Sequence, residues 1–273
     1  LNKFQTMYFS SDAGLSNRIQ EELNKQGTDW DVVKDMMYQV STSQSLHSDA
    51  VANKFLEMGD IEYDPKAFKF YAKDDPNGYS WKNIIGKIDE IAKQTGLSAE
   101  DVNKYANQAL IANRLKGLSK TNQDVYSHLT PAQIEAGLKL FDKLPQLREV
   151  QDIWNGVRKN AMKVAVDAGL YSPKQAEDLL KYMDFVPFYR ADQIAARGGP
   201  REYNQGLLDF AKNFKIKGSD EPVADIFDNM ERWTSYTVSR AVKNRTALNM
   251  YNIAKQVFPD EVKDLRQDER VKR

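Results

Sequence analysis

Residues 146–168 carry apolar side chains at a helical interval. Val150, Ile153, Trp154, Val157, Ala161, Val164, Ala165 and Ala168 form one stripe, while Asp152, Arg158, Lys159 and Lys163 fall mostly off it. A stripe that wide must be covered by another element, so it commits the chain to helix-on-helix packing. Gly169 follows as a stop signal. Ser172, Pro173 and Gln175 then supply a hydroxyl cap, a proline at the first helical position and a side chain able to reach back. The spacing predicts a helical hairpin whose second helix spans 173–183.

The same punctuation recurs. Ser98 stands three before Asp101, and Thr130-Pro131 has Gln133 at the matching place. Residues 81–96 repeat Ile84, Ile85, Ile88 and Ile91 at helical spacing and end on Gly96. Residues 29–59 carry Val32, Val33, Met36, Met37, Val40, Val51, Phe55 and Leu56, interrupted by STSQS at 41–45, and read as one helix or two. A long helix is predicted over 223–257. The stretch near residues 60–80 has turn residues at Asp75, Pro76, Asn77 and Gly78 and alternating Phe68, Phe70 and Ala72, which fits a short strand or hairpin. The expected fold is all-α, an irregular bundle of about seven to nine helices in antiparallel pairs with at most that hairpin.

Two regions are expected. Residues 1–128 form an N-terminal helical region. Residues 129–273 hold the hairpin, a surface excursion over 191–220 marked by Gly198, Gly199, Pro200, Gly206 and Gly218, and the long C-terminal helix. The chain opens at Leu1 and stops in the charged run KDLRQDERVKR, and both ends read as cuts in a longer polypeptide.

Composition narrows the chemistry. Lys+Arg and Asp+Glu are both 39, so no net charge favours a protein built chiefly to grip phosphates. There is no cysteine, which excludes disulfides, thiolate nucleophiles and cysteine-based zinc sites. No apolar run approaches the roughly 20 residues that span a bilayer, so no integral membrane segment is expected. The two histidines, His47 and His128, sit far apart and lack a partner four residues on. Phosphate-loop, dinucleotide and nucleophile-elbow motifs are missing. Adjacent acids at Glu21-Glu22, Asp74-Asp75 and Asp89-Glu90 do not face one another on a helix. No catalytic, cofactor-binding or metal-binding residue is assigned, and no cofactor is expected. An enzyme site assembled from distant carboxylates stays open as an alternative.

The basic residues cluster late. Lys212, Lys215 and Lys217 interleave with Phe210 and Phe214, and Arg232, Arg240, Lys243 and Arg245 follow. Such a pattern fits a nucleic-acid contact or an ordinary solvated face. Asn244 lies on the expected buried stripe of the last helix, Trp233, Thr237, Ala241, Leu248 and Tyr251, and is expected to pair with loop backbone and fix the packing register.

The stretch YMDFVPFYR at 182–190 ends the hairpin. Pro187 is expected to stop the helix, the aromatics to plug the hairpin's end, and Arg190 to reach a carbonyl, a carboxylate or a partner. Together with Ala168-Gly169-Leu170, Ser172, Pro173, Val186-Pro187, Tyr189-Arg190 and Asn244, this order resembles the helical modules of very large internal virion polyproteins of tailed bacteriophages. The resemblance is clearest over 130–190. It implies a non-enzymatic structural or interaction module held inside the virion and delivered into the host cell with the genome. Its implied partners are other domains of the parent polypeptide and other virion proteins, with DNA as a further possibility. A nucleic-acid-binding domain, or a domain accessory to an enzyme elsewhere in the same polypeptide, are the alternatives. The family supplies no catalytic residue.

Overall fold

A computed structural model describes residues 44–119, 129–187 and 225–257, with isolated positions at 21, 24, 25, 27, 259 and 260. Seven helices are present among these residues: α1 Gln44–Met58, α2 Trp81–Thr95, α3 Ala99–Ser119, α4 Pro131–Lys143, α5 Leu147–Asp167, α6 Pro173–Leu180 and α7 Ile226–Val257. One two-stranded hairpin, β1 Gly59–Asp64 and β2 Lys69–Asp74, sits between α1 and α2. The fold is all-α with a short hairpin, as the periodicity predicts.

Each start signal makes the bond its residues suggest. The Gln133 backbone N–H donates to Thr130 Oγ1 at 3.3 Å, and Thr130 N–H donates back to Gln133 Oε1 at 2.8 Å. Ser172 and Gln175 repeat the arrangement at 3.2 and 2.8 Å. Ser98 Oγ accepts from Asp101 N–H at 3.1 Å. Two otherwise orphaned donors are satisfied at each reciprocal cap, which sets where the helix begins. Gly96 and Gly169 close α2 and α5 in the left-handed conformation, with φ of 71° and 70°.

The strands pair antiparallel from Gly59 opposite Asp74 to Asp64 opposite Lys69. Phe68 does not join the alternating strand face expected of it. Asp64 Oδ1 accepts from Lys66 N–H and Ala67 N–H, which commits the chain to a turn, and Phe68 leaves that turn at φ 51°. Phe70 and Ala72 stay half-buried against the core.

α5 is the central element. It touches α2, α3, α4, α6, α7 and β1, while α7 crosses α1, α3 and α5. Trp154, Val150, Val157, Ala161, Ala165 and Ala168 are fully buried along α5, so the stripe is the core face. Ile84, Ile88 and Ile91 of α2 are buried, whereas Ile85 is 43% exposed. A one-residue step turns a helical side chain by about 100°, which carries Ile85 off the face its neighbour occupies.

Two helical glycines predict opposite substitution effects. A Cβ on Gly137 would lie 2.7 Å from Ala112 Cβ and 2.9 Å from Gln108 O of α3, so backbone must move. A Cβ on Gly86 would meet nothing within 4 Å. Gly137→Ala is expected to lose about 1–3 kcal/mol by overpacking. Gly86→Ala is expected to gain about 0.5–1 kcal/mol from helix propensity. Urea denaturation of the two variants checks both signs.

Candidate functional site

The motif-like stretch enters the interior at residues 185–187, while Met183 is 62% exposed. α6 ends at Leu180, not at Met183, and Pro187 is not what stops it. Arg158, expected off the α5 stripe, is only 2% exposed and reaches under the hairpin's end. Its guanidinium donates Nη2 to Leu179 O and Nη1 to Tyr182 O, both at 2.9 Å. Leu179 O lies in the last turn of the helix, and Tyr182 O lies just beyond it and also accepts from the Phe185 N–H at 3.2 Å. An arginine fork engages both together, and that capture fixes where α6 stops.

Other side chains hold the same segment by its backbone. Trp154 Nε1–H donates to Phe185 O at 2.8 Å, and Gln151 Nε2 donates to Met183 O at 3.3 Å. Phe185, Val186 and Pro187 are buried. The Phe185 ring lies 6.1 Å from the Trp233 ring, and Trp154 meets Trp233 edge-on at 5.6 Å. The plug expected of the aromatics is therefore present in its first part. Phe188, Tyr189 and Arg190 lie outside the described residues.

A second arginine completes the cluster. Arg114 of α3 is 3% exposed, and its Nη1 lies 3.5 Å from Asp184 Oδ2. The Arg114 guanidinium is 5.2 Å from the centre of the Phe185 ring and 5.7 Å from that of Tyr182, and Arg158 is 4.6 Å from Phe185. Aromatic faces supply part of the compensation that a second carboxylate would give. Burial pushes Arg158 down to about 10, with the Arg114 charge adding to the shift and Asp184 opposing it. Burial also lowers Arg114, against the raising effect of Asp184. Asp184 seats directly on Gly117 of α3, where a Cβ would overlap the carboxylate.

No family model matches this chain, and no curated protein or solved structure matches it.

The late basic residues divide. Lys212, Lys215 and Lys217 lie outside the described residues. Arg240 stacks on Tyr236 of its own helix at 5.6 Å and lies near Tyr171. Burial raises both tyrosines, and the Arg240 charge partly offsets it. Lys243 follows Arg240 by three residues and is half-exposed. Arg245 points elsewhere: its guanidinium lies 4.8 Å from the Tyr63 ring, whose hydroxyl accepts from Asn249 Nδ2 at 2.6 Å. Five residues rotate a helix by about 140°, so Arg240 and Arg245 serve different faces. Asn244 does what the sequence suggests, donating Nδ2 to Ala168 O at 2.9 Å at the α5–α6 turn.

Among the described residues, no group of three or more histidines or carboxylates could hold a metal ion. No helix described is long and apolar enough to cross a membrane. His128 lies outside the described residues. His47 is half-buried on α1. Arg114 and Arg158 escaped the sequence reading, although spacing held a signal: Arg158 stands four after Trp154 and three before Ala161, on the stripe itself.

Two predictions follow from this chemistry. Asp184→Asn leaves two buried guanidiniums without a carboxylate. The expected loss is about 1–3 kcal/mol in urea denaturation. Adding Arg114→Met removes the charge left unpaired and should recover part of it, whereas simply additive losses would show no coupling. For His47, burial first and the Lys69 charge second hold the imidazole below its ordinary 6.5. The folded state therefore favours the neutral ring. That stability is present above pH 6.5 and is lost as pH falls through the folded value. His47→Gln should flatten the fall in melting temperature between about pH 7 and about pH 5. An unchanged slope would put the acid sensitivity elsewhere.

Proposed function

We propose that this chain is a non-enzymatic structural and interaction module of a bacteriophage internal virion protein, delivered into the host cell with the genome. The observation that carries this reading is the fate of YMDFVPFYR. The described part of the stretch that most resembles the phage modules is spent on joining helices: its carbonyls at 182, 183 and 185, with Leu179 O just before it, accept from Arg158, Gln151 and Trp154. Among its described aromatics, Phe185 packs on Trp233, and Tyr182 lies under the Arg114 guanidinium. A module of this kind works through the surfaces its helices present, and its partners are other domains of the parent polypeptide and other virion proteins. Before entry it resides in the virion interior.

Among the described residues the nucleic-acid alternative draws on Arg232, Arg240 and Lys243, since Arg245 is committed to the hairpin side. Three phosphate-reaching cations give a shallow salt dependence and weak binding.

Mass spectrometry of purified virions and of freshly infected cells tests the proposal. The tryptic peptide YMDFVPFYR is expected in both fractions, from one high-mass chain. Peptides confined to infected cytosol late in the cycle, from a short chain, would overturn it.

A further inference from the structure

The outer seam of the α5–α6 hairpin holds a groove of about 520 Å³. That volume falls in the range of small-molecule sites, about 300–1,000 Å³. Met162 and Val166 of α5, with Pro173, Ala176 and Leu180 of α6, give it an apolar floor. Met162 and Ala176 are buried there, and α6 packs on α5 and leaves its other side to solvent. α6 has eight residues, so the groove beside it runs about 12 Å at 1.5 Å per residue.

Its charges are sorted along the axis. Because Arg158 bonds Leu179 O and Tyr182 O, residue 159 stands level with residue 181 across the seam. Lys159 and Lys181 therefore mark one end, and both are exposed. Among the described residues, Lys159 forms no ion pair, and Lys181 lies over the Tyr182 ring at 5.8 Å without a carboxylate partner. Lys163 and Glu177 stand in the middle, and Lys163 is within 3.6 Å of Asp60. Asp167 marks the far end, beside the turn. An axis with cations at one end, an apolar floor and a carboxylate at the other suits a molecule with an anionic head and one apolar tail.

We infer that this groove binds a free single-chain carboxylate amphiphile of the fatty-acid class. Lys159 and Lys181 take the head, and the tail lies over Met162, Val166, Ala176 and Leu180. Asp167 repels the head from the opposite end and so sets the orientation. The inference stands on the groove alone and is independent of the phage reading.

Methionine-methyl NMR of the full chain, titrated with decanoate below its micelle range, tests it. The Met162 methyl is expected to shift saturably. Lys159→Glu with Lys181→Glu should weaken binding about tenfold, while far-UV circular dichroism stays unchanged. Ala176→Leu, which fills the floor without altering charge, should remove the shift. Decyltrimethylammonium, with the same tail and an opposite head, should bind at least about tenfold more weakly. Equal binding of the two amphiphiles would reduce the groove to a nonspecific apolar surface and overturn the assignment. So would an absent or unsaturable shift. Response to anionic phospholipid vesicles but not to decanoate would overturn it in favour of a bilayer surface.

Discussion

Arg158 is the residue on which the C-terminal half of the described structure turns. A buried guanidinium costs several kcal/mol of desolvation unless its donors are matched. Here it faces backbone carbonyls at the end of α6, the Asn155 side chain at 3.0 Å and the Phe185 ring, with no carboxylate of its own. The dependence runs both ways. Without the arginine, Leu179 O loses its side-chain donor and Tyr182 O keeps only the Phe185 N–H. Without the 181–187 segment, the arginine loses its Tyr182 acceptor and its aromatic cover. Trp154, one turn earlier on α5, repeats the arrangement with an indole N–H and the carbonyl of Phe185. One helix face thus holds a non-helical segment chiefly by its backbone.

Backbone capture explains why the segment can be irregular and still buried. Buried carbonyls need donors wherever regular structure ends. α5 supplies them from side chains, and the close seat of Asp184 on Gly117 draws α3 to the same point. Arg114 pairs with Asp184, Arg158 pairs with carbonyls, and the Phe185 ring lies against both guanidiniums. Lys87 links α2 to α5 through Glu149 at 2.9 Å, but that pair is exposed and contributes little by comparison.

Helices were legible in the sequence because their signals are local. A hydroxyl cap with a glutamine three residues on needs only one turn of chain to express itself, and both Thr130 and Ser172 do so. Asn244 was legible for a related reason: an amide on an apolar stripe has few ways to be satisfied, and the α5–α6 turn offers a free carbonyl. Arg158 was not legible. Its spacing placed it on the stripe, yet its charge argued for solvent, and only the carbonyls of a segment some 20 residues away reverse that argument. The end of α6 failed for the same reason, since the stop is imposed by a tertiary bond and not by Pro187. Leu248 shows the converse: periodicity puts it on the α7 core stripe, but it is 36% exposed at the edge of the α5–α6 turn, beside Gly169.

The plug and the groove lie on two sides of one short helix, and the same two bonds position both. Arg158 fixes the height of α6 along α5 at Leu179 and Tyr182. That height places Leu180 and Lys181 over Met162 and Lys159. α6 buries only Ala176 fully, so its own apolar contacts are too few to set register. A change confined to Asp184 loosens the α3 side and leaves those bonds in place. A change at Arg158 frees the end of α6 and disperses plug and groove together. The interior polar contact, rather than the apolar floor, is therefore what gives the outer surface its shape.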